Sequence, residues 1–77
     1  MKDLLVVLAK ALVDSPDDVS VNERENNEQS VVLELRVADS DMGKVIGKQG
    51  RIAKSIRTVM KAAASRENKK VIVEIVQ

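Results

Sequence analysis

The 77-residue sequence contains no cysteine, no histidine and no phenylalanine, tyrosine or tryptophan. Without cysteine, neither disulfides nor thiolate metal ligands can stabilise the chain. Without histidine, the usual proton carrier near neutral pH is missing, and a hydroxyl such as that of Ser55 has no imidazole to activate it. Without aromatic rings, the chain lacks the stacking platforms of many single-strand nucleic-acid binders. These absences predict a protein that is not an enzyme and that holds no cofactor or metal.

Long hydrophobic runs are also missing. No apolar run approaches the roughly 20 residues that cross a bilayer. An apolar run does follow Lys2, but Lys10 interrupts it and no small-residue cleavage site comes after it, so a signal peptide is not predicted. The length allows one small domain with a modest core. We therefore expect a single domain over residues 1–77, located in the cytoplasm.

Charge of one sign is concentrated in residues 42–61. The whole chain has a net charge of +1, and this stretch contains no acidic residue, so it carries +6 and the rest carries −5. All three glycines lie in the same stretch. A positive segment beside flexible backbone favours an anionic, phosphate-bearing partner. Its basic residues are Lys44, Lys48, Arg51, Lys54, Arg57 and Lys61.

Hydrophobic periodicity predicts six elements in the order α-β-β-α-α-β. The helices are expected at residues 2–13, from the cap candidates Asp39, Ser40 and Asp41 to about 46, and from 51 to about 65. The strands are expected around Val19 and Val21, at 30–37 and at 71–76, with a hairpin turn at Asn26 and Asn27 that uses the positive φ asparagine tolerates.

The connections predict how the strands pair. A hairpin joins the first two strands, so these should be antiparallel. A helical crossover joins the second and third strands, so these should be parallel neighbours with a right-handed connection. The expected fold is α+β, a three-stranded mixed sheet with three helices on one face.

Gly47 and Gly50 frame a bend between the second and third helices. Glycine lets the backbone turn sharply and approach a ligand closely. Lys48 and Gln49 lie between them, and the N-terminus of a helix follows with its unpaired N–H groups. Two stripes are predicted on that helix: an apolar one of Ile52, Ile56, Val59 or Met60, and Ala63, and a basic one of Arg51, Lys54, Arg57 and Lys61.

Residues 45–50, VIGKQG, followed by Ile52 and Ile56, resemble the signature of KH domains, whose GXXG loop clamps the backbone of about four nucleotides. The element order resembles the type II arrangement, and length and sequence resemble the KhpA family of small bacterial KH proteins. The chain departs from many KH domains at Ala53, where isoleucine is common, which predicts a shallower groove floor. The resemblance implies a groove between the bend and the second strand, walled by Val45, Ile46, Ile56 and residues 32–36.

What the resemblance implies about function is single-stranded RNA binding, with roles in RNA chaperoning, post-transcriptional regulation and cell shape. It also implies self-association and pairing with a larger KH-containing partner, similar to KhpB. The implied RNA-binding residues are Lys44, Val45, Ile46, Gly47, Lys48, Gln49, Gly50, Arg51, Lys54 and Arg57.

Other interpretations stay open beside this one. The glycine bend is also compatible with a plain capping turn, and the basic stripe with a solvated helix face. A P-loop is excluded by spacing, because three residues rather than four separate Gly43 from Gly47. Asp14, Asp17 and Asp18 fit a polar loop better than a cation site. Apolar residues beyond the core's needs suggest a protein–protein adaptor that acts through a dimer face: Val6, Val7, Val13 and Ile72.

Overall fold

The computed structural model of the chain describes residues 1–47 and 50–76. It confirms the predicted order of elements. The helices are α1 (Lys2–Leu12), α2 (Asp39–Ile46) and α3 (Arg51–Arg66), and the strands are β1 (Ser20–Asn26), β2 (Ser30–Arg36) and β3 (Lys70–Val76). A short 3₁₀ turn at Pro16–Asp18, which was not predicted, joins α1 to β1.

The three strands form one mixed sheet in the order β1-β2-β3. β1 runs antiparallel to β2, with Val21 opposite Leu35. β2 runs parallel to β3, with Val31 opposite Val71. The predicted pairing is therefore confirmed, and β2 is the central strand.

β1 is longer than its sequence pattern indicates. Its residues beyond Val21 are exposed and polar, so no hydrophobic alternation marks them as a strand. They are nevertheless paired along nearly the whole of β2, with a register shift between Glu23 and Glu25. Backbone pairing with β2, rather than side-chain burial, extends this edge strand.

The hydrophobic core lies between the sheet and the three helices. Alternate residues of β2 (Val31, Leu33 and Leu35) face this layer and are almost completely buried. The predicted alternation of β2 and the placement of the helices on one face are confirmed. The helical layer contributes Leu5 and Ala9 from α1, Val13 directly after α1, Met42 and Val45 from α2, and Ala53, Ile56 and Met60 from α3.

The opposite face of the sheet carries polar side chains. Arg24 forms ion pairs with both Glu34 of β2 and Glu74 of β3, which lie side by side in the parallel register. One guanidinium thus balances two adjacent carboxylates. Beside them Ile72 is exposed. The partly solvent-exposed face predicted for β2 is confirmed.

The hairpin turn is where it was predicted, but its mechanism differs. The side-chain oxygen of Asn27 accepts the N–H groups of Gln29 and Ser30, at 2.8 and 2.9 Å. This side-chain turn replaces the positive φ that was expected there. Among the described residues, the one non-glycine residue with a positive φ is Asn68, after the end of α3.

The predicted caps of α2 are wrong. Ala38 precedes the helix, and no described side chain caps its first turn. The carboxylate of Asp41 instead turns towards the end of α1, where it accepts the backbone N–H groups of Asp14 and Ser15 at 3.1 and 3.0 Å. Asp41 is only 1% exposed. It therefore holds α2 against the loop that follows α1.

Among residues 1–47 and 50–76, no helix is long and apolar enough to span a bilayer. In residues 1–47 and 50–76, no group of three or more acidic side chains is placed to hold a metal ion, so Asp14, Asp17 and Asp18 are not gathered into one.

Candidate nucleic-acid interface

Gly47 ends α2 in a position that only glycine fits. Its N–H donates to the carbonyl oxygen of Gly43 at 2.7 Å, which closes the last turn of the helix. A Cβ atom on Gly47 would overlap that same oxygen. The obstacle is backbone, so a larger residue would force the helix end or the bend to move.

Gly50 begins α3 for a different physical reason. Its φ of 67° and ψ of 32° lie in the left-handed region, which costs an L residue with a side chain about 1–2 kcal/mol. The Gly50 N–H donates to the Gly47 carbonyl at 2.8 Å, so the two glycines are joined directly. Lys48 and Gln49, the predicted phosphate contacts, lie outside the described residues, and their roles stay predictions.

The start of α3 is electrically different from the starts of the other helices. Asp3 lies in the first turn of α1, and Asp39 and Asp41 in that of α2, but α3 has no acidic residue there. The first N–H groups of α3 carry partial positive charge and attract an anion, and no side chain among residues 1–47 and 50–76 caps them.

The basic stripe of α3 lies on the surface. Arg51, Lys54, Arg57 and Lys61 are all exposed, and within residues 1–47 and 50–76 none of them forms a salt bridge. The opposite side of the helix packs into the core through Ala53, Ile56, Met60 and Ala64. Of the two candidates for the apolar stripe, Met60 is buried and Val59 is exposed.

Arg57 reaches across from α3 to the edge strand of the sheet. Its Nε and Nη2 atoms both lie 3.4 Å from the carbonyl oxygen of Val73 and donate to it. β3 is an edge strand of the sheet, because β2 pairs with one side of it only. A cation and an open strand edge are thereby placed together.

A cleft runs along the seam between α3 and β3, and we name it the α3–β3 cleft. It consists of two adjoining depressions of about 250 Å³ and about 400 Å³. Among the described residues that line them none is acidic, and the apolar lining residues include Val71 and Ile72. A lining that is partly apolar and partly basic suits a nucleic-acid strand. The other lining residues are Arg57, Lys61, Ala64, Ser65, Lys69, Lys70 and Val73.

The structure corrects the predicted position of the groove. β2 is central and paired on both sides, so it has no open edge, and the side chains of Val32, Glu34 and Arg36 are on the face opposite the one that packs on α3. The open edge beside α3 belongs to β3. The predicted pairing already placed β2 between its neighbours. From this, the open strand edge beside α3 could have been assigned to β3, and Lys69 and Lys70 could have been included among the candidate site residues.

Two of the three predicted wall residues on the helices are buried. Val45 and Ile56 belong to the core, so they support the site from within and contact no ligand in this conformation. Ile46, at the end of α2, is 51% exposed. It is the predicted apolar residue beside Gly47 that a ligand can reach.

Lys44 is the basic residue of α2 near the bend. Its Nζ atom lies 3.0 Å from Oδ1 of Asp14. This partner was not predicted, because 30 residues separate the two in sequence.

The other end of α3 has mixed charge. A depression of about 340 Å³ there is lined by both signs, including Lys2, Asp3, Glu23, Glu67 and Lys69. A helix of 16 residues is about 24 Å long, so this depression is far from Gly50. Its acidic groups make it a poor site for a polyanion.

The chain is similar to known proteins over almost its whole length. The model of the family "KhpA/KhpB, KH domain" matches residues 2–75. The chain is 66% identical over 76 residues to the RNA-binding protein KhpA of Clostridium perfringens, and 67% identical over 76 residues to that of Clostridium acetobutylicum; each match covers 99% of this chain and 100% of the relative.

A more distant relative, the RNA-binding protein KhpA of Aquifex aeolicus, is 48% identical over 77 residues, which cover all of this chain and 96% of that one. No solved structure matches the chain significantly. The resemblance predicted from the glycine bend and the element order is confirmed. The chain belongs to the KhpA/KhpB family of KH domains.

Proposed function

We propose that this protein binds single-stranded RNA, without catalysis, at the glycine bend and along the basic side of α3. The observation that carries the proposal is the hydrogen bond from the Gly50 N–H to the Gly47 carbonyl at the start of α3, where no described side chain caps the helix. Bare backbone there lets a phosphate approach the first N–H groups of the helix. The relatives are named as RNA-binding proteins, which supports the choice of RNA.

The residues have distinct parts in this proposal. Gly47 and Gly50 allow close approach, and Lys48 and Gln49 between them contact phosphates. Ile46 contacts a base, and Val45 holds α2 to the core beneath it. The electrostatic field comes from Lys44, Arg51, Lys54 and Arg57.

Bases would lie in the α3–β3 cleft. Its apolar lining residues can contact base faces without aromatic stacking, and the open edge of β3 offers backbone groups to base edges. Ala53 is buried in the core, and the shallower groove floor expected from it stays a prediction. One domain of this size reads few nucleotides, and we expect weak binding with broad sequence preference.

The experiment uses the double variant Lys48→Asp with Gln49→Asp. It is expected to abolish the gel shift of a short single-stranded RNA, because two carboxylates would repel the phosphates at the bend. Circular dichroism should stay unchanged. The matched control is Lys10→Asp with Ala11→Asp, which makes the same change of charge at exposed positions of α1. Equal RNA affinity of both double variants would refute the proposal.

The cellular role that fits weak, broad binding is that of a bacterial RNA chaperone or post-transcriptional regulator in the cytoplasm. The family relationship is what supports this cellular role, and it also supports a role in cell shape. Crosslinking of bound RNA in cells followed by sequencing tests it. Recovery of many transcripts through one short, shared footprint is expected.

The second candidate is an adaptor that forms a homodimer or pairs with a larger KH-containing protein similar to KhpB. Of the four residues that suggested it, Val13 is in the core and Val6 is half-buried, but Val7 is 64% exposed and Ile72 is also exposed. Val7 lies in the helical layer, whereas Ile72 lies on the opposite face of the sheet, so they cannot form one patch.

Val7 is the better marker for a dimer face, because Val59 of α3 adds a second exposed apolar side chain to the helical layer. Sedimentation of the wild type and of Val7→Lys at several concentrations tests the candidate. A wild type that stays monomeric at high micromolar concentration, alone and with the larger partner, would remove it.

A further inference from the structure

Asp14 is held by two contacts with α2 that lie one helical turn apart. Its backbone N–H donates to Oδ1 of Asp41 at 3.1 Å, and its side-chain Oδ1 accepts a hydrogen bond from Nζ of Lys44 at 3.0 Å. Ser15 donates its N–H to the second oxygen of Asp41 at 3.0 Å. Because Asp41 is buried, the loop after α1 is fixed against α2.

This fixed loop places a carboxylate beside a basic residue of the proposed RNA-binding surface. Lys44 lies three residues before Gly47, at the end of α2 that leads into the bend. Carboxylate and phosphate oxygens are both acceptors for an ammonium group. The Asp14 side chain is 78% exposed and that of Lys44 is 44% exposed, so a ligand can reach the pair.

We propose that Asp14 competes, within the molecule, with RNA phosphate for Lys44. The inference rests on the proposed RNA binding. Lys44 has to leave Asp14 before it can bind a phosphate, so the ion pair lowers affinity and speeds release. Since exposed ion pairs contribute little, removing Asp14 should tighten RNA binding by about two- to fivefold at low salt.

The test compares Asp14→Asn with Asp17→Asn. Asp14→Asn removes the negative charge and keeps the backbone N–H that Asp41 accepts. Asp17→Asn removes the same charge from the neighbouring 3₁₀ turn, and in the described part of the chain Asp17 forms no ion pair. Fluorescence anisotropy with a short fluorescein-labelled single-stranded RNA of mixed sequence is the readout.

Asp14→Asn is expected to bind more tightly than Asp17→Asn, with equal melting curves for both. Asp14→Ala also keeps the backbone N–H and carries the same expectation, which separates loss of the ion pair from any new contact of the amide. Lys44→Ala should weaken binding. In the Lys44→Ala background, the gain in RNA affinity from Asp14→Asn should disappear, because there is no longer an ammonium group for Asp14 and RNA to compete for.

Equal gains in RNA affinity from Asp14→Asn and Asp17→Asn would overturn the inference in favour of a general charge effect. So would a gain from Asp14→Asn that persists in the Lys44→Ala background. Wild-type binding that Lys44→Ala weakens and Asp14→Asn leaves unchanged also overturns it, while the proposed function stands. Absence of RNA binding by the wild type overturns both.

Discussion

The carbonyl oxygen of Gly43 both accepts the N–H of Gly47 and fills the space that a Cβ atom on Gly47 would need. Gly43 itself has no heavy atom within 4 Å of the place where its own Cβ would lie. The two glycines are one helical turn apart on α2. The same substitution should therefore have opposite effects at the two positions.

Gly47→Ala is expected to lower the free energy of unfolding by about 1–3 kcal/mol, the usual cost of forcing a methyl group into filled space. Because the obstacle is backbone, the end of α2 has to shift, and RNA affinity should fall with stability. Urea unfolding followed by circular dichroism measures the first effect and a gel shift the second. An unchanged unfolding midpoint would show that the bend accommodates a side chain.

Gly43→Ala is expected to raise the free energy of unfolding by about 0.5–1 kcal/mol, because glycine is the poorer residue in a helix interior and the added methyl group meets nothing. The measurement is the same urea titration, and Gly47→Ala serves as its control. Destabilisation by Gly43→Ala would mean that α2 is not helical at this position.

Asp41→Asn is expected to lower the free energy of unfolding by about 1.5–3 kcal/mol, because the amide nitrogen cannot accept one of the two N–H groups that the carboxylate accepts. Asp39→Asn is the matched control. It removes the same charge from the same first turn of α2, but Asp39 is exposed. Thermal unfolding of both variants checks the prediction, and equal melting temperatures would contradict it.

Lys54→Ala is expected to weaken RNA binding and to reduce the steepness of its salt dependence. One phosphate contact contributes about 0.7 to the slope of log K against log salt for a single strand. Lys10→Ala, at an exposed position of α1, should leave the slope unchanged. Titrations at several salt concentrations measure both slopes, and identical slopes for the two variants would place Lys54 outside the interface.

Local chemistry made much of the molecule predictable. The alternation of Val31, Leu33 and Leu35 identified β2, and a helical crossover before β3 fixed the parallel pairing. The uneven charge and the two glycines of the bend pointed to the candidate site. β1 was predicted too short because its exposed polar residues carry no alternation, and their pairing with β2 is a property of the backbone.

Asp41 shows where local chemistry misleads. An aspartate at the start of a helix is a good cap candidate, and its sequence contains nothing to indicate another partner. Folding brings it to Asp14 and Ser15, which are 27 and 26 residues away in sequence. Their backbone N–H groups donate hydrogen bonds to its carboxylate oxygens. A buried carboxylate binds the donors that the tertiary structure supplies.

The sequence by itself determined the order of the elements, the pairing of the strands and the position of a cationic glycine bend, since each follows from periodicity or from the backbone freedom of one residue type. Only the tertiary structure decided that the cleft lies between α3 and the open edge of β3, that Val45 and Ile56 are interior, and that Asp14 holds Lys44. Those features depend on which distant segments pack together, and that is fixed by burying one common core.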